Sequence, residues 1–167
     1  MIILRTGFYI VLQLNFEEWG ERNRMPSPNG DLPGSGDNDR RMSIGIKRIY
    51  RPAEKKDGKR ILVDRLWPRG VTKQNAQLDE WLKDVAPSPQ LRTWFGHKNE
   101  RFDAFALQYR LELDTDPLKQ SAIRHLLAMY ETGEITLLYG AKSDTINHAR
   151  VLQQYLQEKL AGQKPRS

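Results

Sequence analysis

Apolar residues recur along the chain with two periods, and each predicts a different element. Ile44-Gly45-Ile46-Lys47-Arg48-Ile49-Tyr50 alternates and predicts a strand. Arg51–Lys59 reads as a loop, with Asp57-Gly58 as its turn. Ile61-Leu62-Val63 is a short apolar run that ends in Asp64-Arg65-Leu66-Trp67-Pro68-Arg69-Gly70, a charged and turn-rich loop. That is the pattern of a buried strand with unusual charges at its exit, where unpaired charge is expensive. Glu134–Tyr139 predicts a third strand.

Between and after these strands the period is helical. Leu78, Trp81 and Leu82 predict a short amphipathic helix, and Pro87-Ser88-Pro89 reads as stop, N-cap and first-turn proline for a helix with Leu91, Trp94 and Phe95 inward. Phe102, Phe105, Ala106, Tyr109 and Leu113 form one stripe. Asp116-Pro117 opens a helix through Leu118, Ala122, Ile123, Leu126, Leu127 and Tyr130, closed by Gly133, with His125 beside the stripe as a structural residue. Gly140-Ala141-Lys142-Ser143-Asp144 turns into a last helix, with Ser143 or Asp144 as its cap and Ala149, Leu152, Leu156 and Leu160 inward.

Strand, strand, helices, strand, helix is an α/β order, and helical crossovers join parallel neighbours. The expected fold is a single α/β domain: a small, mainly parallel sheet flanked by helices. Three strands leave room for a fourth, in 71–73 or elsewhere. Residues 1–41 read differently. Met1–Leu14 is apolar but interrupted by Arg5 and Gln13 and too short to span a bilayer, and it has no small-residue cleavage site before Asn15-Phe16-Glu17-Glu18. Pro26–Asp37 has only Leu32 to bury. Residues 1–41 are therefore expected to be a disordered extension, in one version an upstream start-site artefact, with the domain over 42–161 and a flexible tail over 162–167.

Composition narrows the chemistry. No cysteine is present, which excludes disulfides, thiol nucleophiles and Cys-based metal sites. His97, His125 and His148 show no metal-ligand spacing, so neither metal nor cofactor is expected. No Walker loop, GxGxxG, GxSxG or paired-carboxylate motif occurs. The net charge of +6 is unevenly placed. Residues 47–73 hold ten Lys/Arg against Glu54, Asp57 and Asp64, while residues 74–167 hold twelve of each sign. A local excess draws phosphates or acidic partners. A solvated, Lys-rich hairpin is the plainer alternative.

If the second and third strands are parallel, their carboxyl ends share one sheet edge, where open α/β sheets bind ligands. The two loops there are 64–70 and 139–144. Arg65 and Arg69 offer fork-shaped donors, Lys142 a point charge, Ser143 a hydroxyl, Trp67 an apolar wall and Gly140 close backbone approach. A helix N-terminus after the second loop also suits an anion. Asp64 and Tyr139 are the candidates for orienting donors or moving protons. The plainer alternative pairs Asp64 with Arg65, Arg69 or Lys142 and leaves Trp67 to close the core. His97, in Phe95-Gly96-His97-Lys98, is either a general base or an exposed loop histidine.

The series Asp64–Gly70, Trp81-Leu82-Lys83-Asp84-Val85-Ala86-Pro87-Ser88, Leu91-Arg92-Thr93-Trp94-Phe95, Arg101-Phe102 and Leu137-Leu138-Tyr139-Gly140-Ala141-Lys142 resembles the YeaO-like family, a bacterial domain of unknown function (DUF488). The match runs from about Met42 to Leu160. It implies a cytoplasmic α/β domain and marks Arg65, Trp67, Arg69 and Lys142 as motif positions, but it implies no activity. The function expected is binding of a phosphate- or carboxylate-bearing small molecule in a basic pocket. Two alternatives remain open: a nucleic-acid-binding module built on residues 47–73, and a protein-interaction domain without catalysis. No membrane association is expected.

Overall fold

A computed structural model describes residues 43–162. The expectations for the extension, and for the tail beyond Gly162, lie outside the described residues. Four strands form one sheet: β1 (Ile44–Arg48), β2 (Lys59–Leu62), β3 (Glu80–Trp81) and β4 (Ile135–Tyr139). Their order is β1-β4-β2-β3, and every neighbouring pair is parallel. The helices are α1 (Lys73–Ala76), α2 (Pro89–Phe95), α3 (Phe102–Thr115), α4 (Pro117–Glu131) and α5 (His148–Gly162). This is the α/β architecture expected. Among the described residues no helix is long and apolar enough to cross a membrane.

The alternation of β2 and β4 divides the core. Ile61, Val63, Ile135, Leu137 and Tyr139 join Phe95, Phe105, Tyr109, Leu126, Leu152 and Leu156 in the larger cluster, on the helical side. Leu62 and Leu138 point the other way and pack with Ile49 and Ala76, and Trp67, Val71 and Leu78 pack against that smaller cluster. The loop after β2 therefore covers part of the sheet's second face. Ser88 and Asp116 cap α2 and α4 as the sequence indicates: Ser88 Oγ accepts from the Leu91 amide at 3.2 Å and Asp116 Oδ1 from the Leu118 amide at 2.9 Å.

Two expectations are corrected. The helix expected at Leu78–Leu82 is the edge strand β3, and the fourth strand is here rather than at 71–73, where Thr72 caps α1 instead. Left-handed Gln77 (φ 46) stops α1 after one turn. The outer edge of β2 then needs partners for its backbone groups. Asp79 supplies them, its carboxylate accepting from the Arg60 amide at 2.7 Å while its own amide donates to Arg60 O at 2.9 Å. Leu82 continues the ladder, its amide donating to Leu62 O at 2.9 Å.

The second correction concerns the last helix, whose cap is neither Ser143 nor Asp144. Buried Asn147 caps α5, its Oδ1 accepting from the Arg150 amide at 2.9 Å. Its side-chain amide donates to Ser143 O at 2.8 Å, which holds the preceding turn. Asn ranks at least with Ser and Asp as a cap, and its separate amide nitrogen lets it donate to the turn while Oδ1 accepts from the helix.

Candidate functional site

Because all four strands run parallel, their carboxyl ends meet at one edge. A cavity of about 320 Å³ opens there. Tyr50 follows β1, Asp64–Arg69 follow β2, Ala86 and Pro87 follow β3, and Gly140 and Ala141 follow β4. Arg92, Phe95 and His97 enter from α2 and its exit, Phe105 from α3 and His148 from α5.

Asp64 joins the two loops. Its Oδ2 accepts from the Gly140 amide at 2.8 Å. A Cβ on residue 140 would lie 2.9 Å from that oxygen, closer than real Cβ contacts come, so the bond needs glycine there. The other oxygen, Oδ1, lies 3.2 Å from His148 Nε2. That nitrogen also lies 3.2 Å from Val63 O. Flanked by two acceptors, Nε2 carries the hydrogen in the neutral ring. Its direction favours Val63 O and leaves Oδ1 buried without a well-aligned donor. From the other side, Trp81 Nε1 donates to Asp64 O at 2.7 Å and fixes the backbone.

The rest of the loop is closed on itself. Trp67 Nε1 donates to Val71 O at 2.7 Å, and its ring meets Trp81 edge-on at 5.4 Å. The Tyr50 hydroxyl donates to Arg69 O at 3.1 Å. The side chains of Arg65, Arg69 and Arg92 are exposed and make no hydrogen bond or ion pair with another described residue. Asp64 is the only acid among the described residues lining the cavity. At the rim, Gly96 (φ 53) and His97 (φ 57) are successive left-handed residues, and the His97 ring lies tilted against Phe95 at 5.5 Å. The Phe95 and Phe105 rings stack at 4.2 Å beneath it.

Of the residues named from sequence, Asp64, Arg65, Trp67, Arg69, His97 and Gly140 share the cavity. Lys142 is exposed and does not line it. Ser143 Oγ accepts from the Ile146 amide at 2.9 Å in the turn before α5. Tyr139 points into the larger core, its hydroxyl donating to Asp144 at 2.8 Å. Burial first, then that hydrogen bond, pushes its pKa up to about 12. Asp144 in turn pairs with Arg51 at 3.0 Å.

Sequence reasoning missed Tyr50, Arg92 and His148 as cavity residues. Tyr50 and Pro87 carried a readable signal, since they follow strands whose ends share the edge. Arg92 and His148 reach the cavity only through helix packing, which no local pattern encodes. Among the described lining residues there is no Ser, Thr or Lys to act as a nucleophile, and Asp64, His97, His148 and Tyr50 are the groups able to exchange protons. The arrangement suits holding an anion beside an apolar wall.

Comparison with known proteins places the chain in a family. The family model described as "Inactive DUF488-N3 subclade" matches residues 43–167. The chain is similar to "Uncharacterized protein YeaO" of Escherichia coli (strain K12), with 44% identity over 115 residues, 69% of this chain and 97% of that protein. It is also similar to "Uncharacterized protein Rv3073c" of Mycobacterium tuberculosis (strain ATCC 25618 / H37Rv), with 37% identity over 117 residues, 70% of this chain and 96% of that protein. No solved structure gives a significant match. The chain belongs to the YeaO-like DUF488 family.

Proposed function

We propose that this domain binds a small phosphate- or carboxylate-bearing molecule in the cavity at the carboxyl edge of the sheet, and that it acts by binding rather than turnover. The observation that carries the reading is the set of three guanidinium groups, Arg65, Arg69 and Arg92, that line the cavity without a partner among the described residues. Each presents a fork matched to an oxyanion. The family description "Inactive" supports binding over catalysis.

The charge distribution supports a pocket over a nucleic-acid surface. Much of the basic segment is engaged internally. Lys47 pairs with Glu54 and Asp57, Lys56 with Glu54, Arg60 with Asp57, and Arg51 with Asp144. Lys59 donates to Thr132 at 2.7 Å. Arg65 and Arg69 are the cations of that segment that line the cavity.

A thermal-shift screen of phosphorylated and carboxylated metabolites tests this reading. A ligand at a hundredfold its Kd stabilises the fold by about 2.7 kcal/mol. The expected result is a raised midpoint for the wild type and a much smaller rise for Arg69→Ala. Retention of DNA or RNA that weakens steeply with salt, with no small-molecule hit, would favour the nucleic-acid function instead.

A further inference from the structure

We propose that the ligand is a phosphomonoester carrying a small apolar or ring-shaped body, and that Arg92 sets the preference for phosphate over carboxylate. This rests on the binding function proposed above and narrows its ligand class.

Charge balance is the first argument. Three arginines line the cavity against one acid, Asp64, so the lining carries +2 with both histidines neutral. One oxygen of that acid accepts from the Gly140 amide, and the other is buried beside His148 without a well-aligned donor. A phosphomonoester carries about −1.5 to −2 at neutral pH, close to what the lining would balance. A carboxylate carries a single charge and is satisfied by one bidentate guanidinium. It would leave the lining at +1.

Size and polarity supply the second argument. The cavity of about 320 Å³ equals roughly ten water molecules at ~30 Å³ each. That leaves room beyond a bare phosphate. Trp67, Ala86, Pro87, Phe95 and Phe105 give the remaining space an apolar lining. Pockets of this kind hold an apolar body and fix its orientation through a few polar groups. The stacked pair Phe95–Phe105 is buried and forms part of the apolar floor against which such a body would rest.

Arg92 is the cation that separates the two ligand classes. Arg65 and Arg69 belong to one loop, whereas Arg92 comes from α2, an independent element. It is exposed, and its side chain makes no hydrogen bond or ion pair with another described residue, so its removal is expected to leave the domain folded.

Isothermal titration calorimetry on the full chain tests the proposal with phenyl phosphate, inorganic phosphate and benzoate, each against wild type and Arg92→Ala. Circular-dichroism melts check that the variant is folded. For the wild type, phenyl phosphate is expected to bind about tenfold tighter than either comparator. The variant is expected to lose about tenfold for phenyl phosphate while benzoate changes by less than about threefold. Benzoate binding as tightly as phenyl phosphate overturns the phosphate preference and leaves the anion-pocket function standing. Inorganic phosphate binding as tightly as phenyl phosphate overturns the apolar-body claim. Equal losses for both aryl anions in the variant overturn the role of Arg92. If none of the three binds, this proposal and the anion-pocket function both fall.

Discussion

Gly140 and Asp64 are 76 positions apart in the chain and 2.8 Å apart across one hydrogen bond. A side chain at residue 140 has to displace the Asp64 carboxylate, because a Cβ there would stand 2.9 Å from Oδ2 and 3.5 Å from the Pro68 ring. Gly140→Ala is expected to destabilise the fold by about 1–3 kcal/mol. Asp64→Ala leaves the Gly140 amide unpaired in a part-buried position, at a cost of about 1–3 kcal/mol. The two variants share one interaction, so the double variant should lose less than the sum of the singles. Urea denaturation of all four proteins measures this, and strict additivity would show that the contact does not couple the loops. At this scale the sequence was partly legible. A charge at the exit of an apolar strand needs a partner, which marks Asp64, and glycine permits close approach, which marks Gly140. That the two partner each other, with His148 as a third member, is a property of the sheet edge rather than of any local run.

Elements show a similar division. The long stripes of α3 and α4 and their Asp116-Pro117 junction declare themselves, because many residues repeat one period. Residues 78–82 did not. Three apolar positions fit a helix, but the backbone of β2 claimed the segment as its edge partner. Ser143 and Asp144 stand nearer to β4, yet the cap is Asn147, further along the turn. The neighbour of that edge strand, α1, depends on a buried side chain. Arg60 donates through Nε and Nη2 to Ala76 O, at 3.3 and 3.0 Å, and through Nε to Gln77 O at 3.2 Å, while its Nη1 pairs with Asp57. Arg60→Met removes those donors and leaves the buried Asp57 with one cation fewer. A loss of about 3–5 kcal/mol is expected, as for other broken buried pairs. Urea denaturation gives the magnitude. Hydrogen exchange should locate the loosened amides in residues 73–82, and unchanged protection there would argue against Arg60 as the anchor of α1.

For the whole molecule, two groups of ionisations bound the stable pH range. On the acid side, burial raises the Asp57 pKa, but hydrogen bonds from Lys47, the Glu54 amide and Arg60 outweigh it and leave it lowered. Asp116 is lowered too: desolvation opposes, and the bonds from the Leu118 amide and Lys119 prevail. Both contribute stability above their unfolded pKa that is lost as pH falls through the folded one. On the alkaline side the Tyr139 phenol stays protonated to about pH 12 in the folded state. The unfolded phenol ionises near ~10, so the unfolded chain holds fewer protons between those values and stability falls there by on the order of 2–3 kcal/mol. Tyr139→Phe should flatten that part of the decline, read from urea midpoints at about pH 9 and about pH 11. An unchanged slope would assign the decline to other groups. The strand order has a consequence for how the molecule comes into being. β1 and β2 are made early yet never touch as neighbours, because β4 lies between them. Until Ile135–Tyr139 leaves the ribosome, the first two strands have no common partner. At about 5–20 residues per second of synthesis, the sheet edge and its cavity are among the last features to form. A nascent chain halted before residue 135 should be readily cut by protease within 44–64, and one extended past α5 should resist.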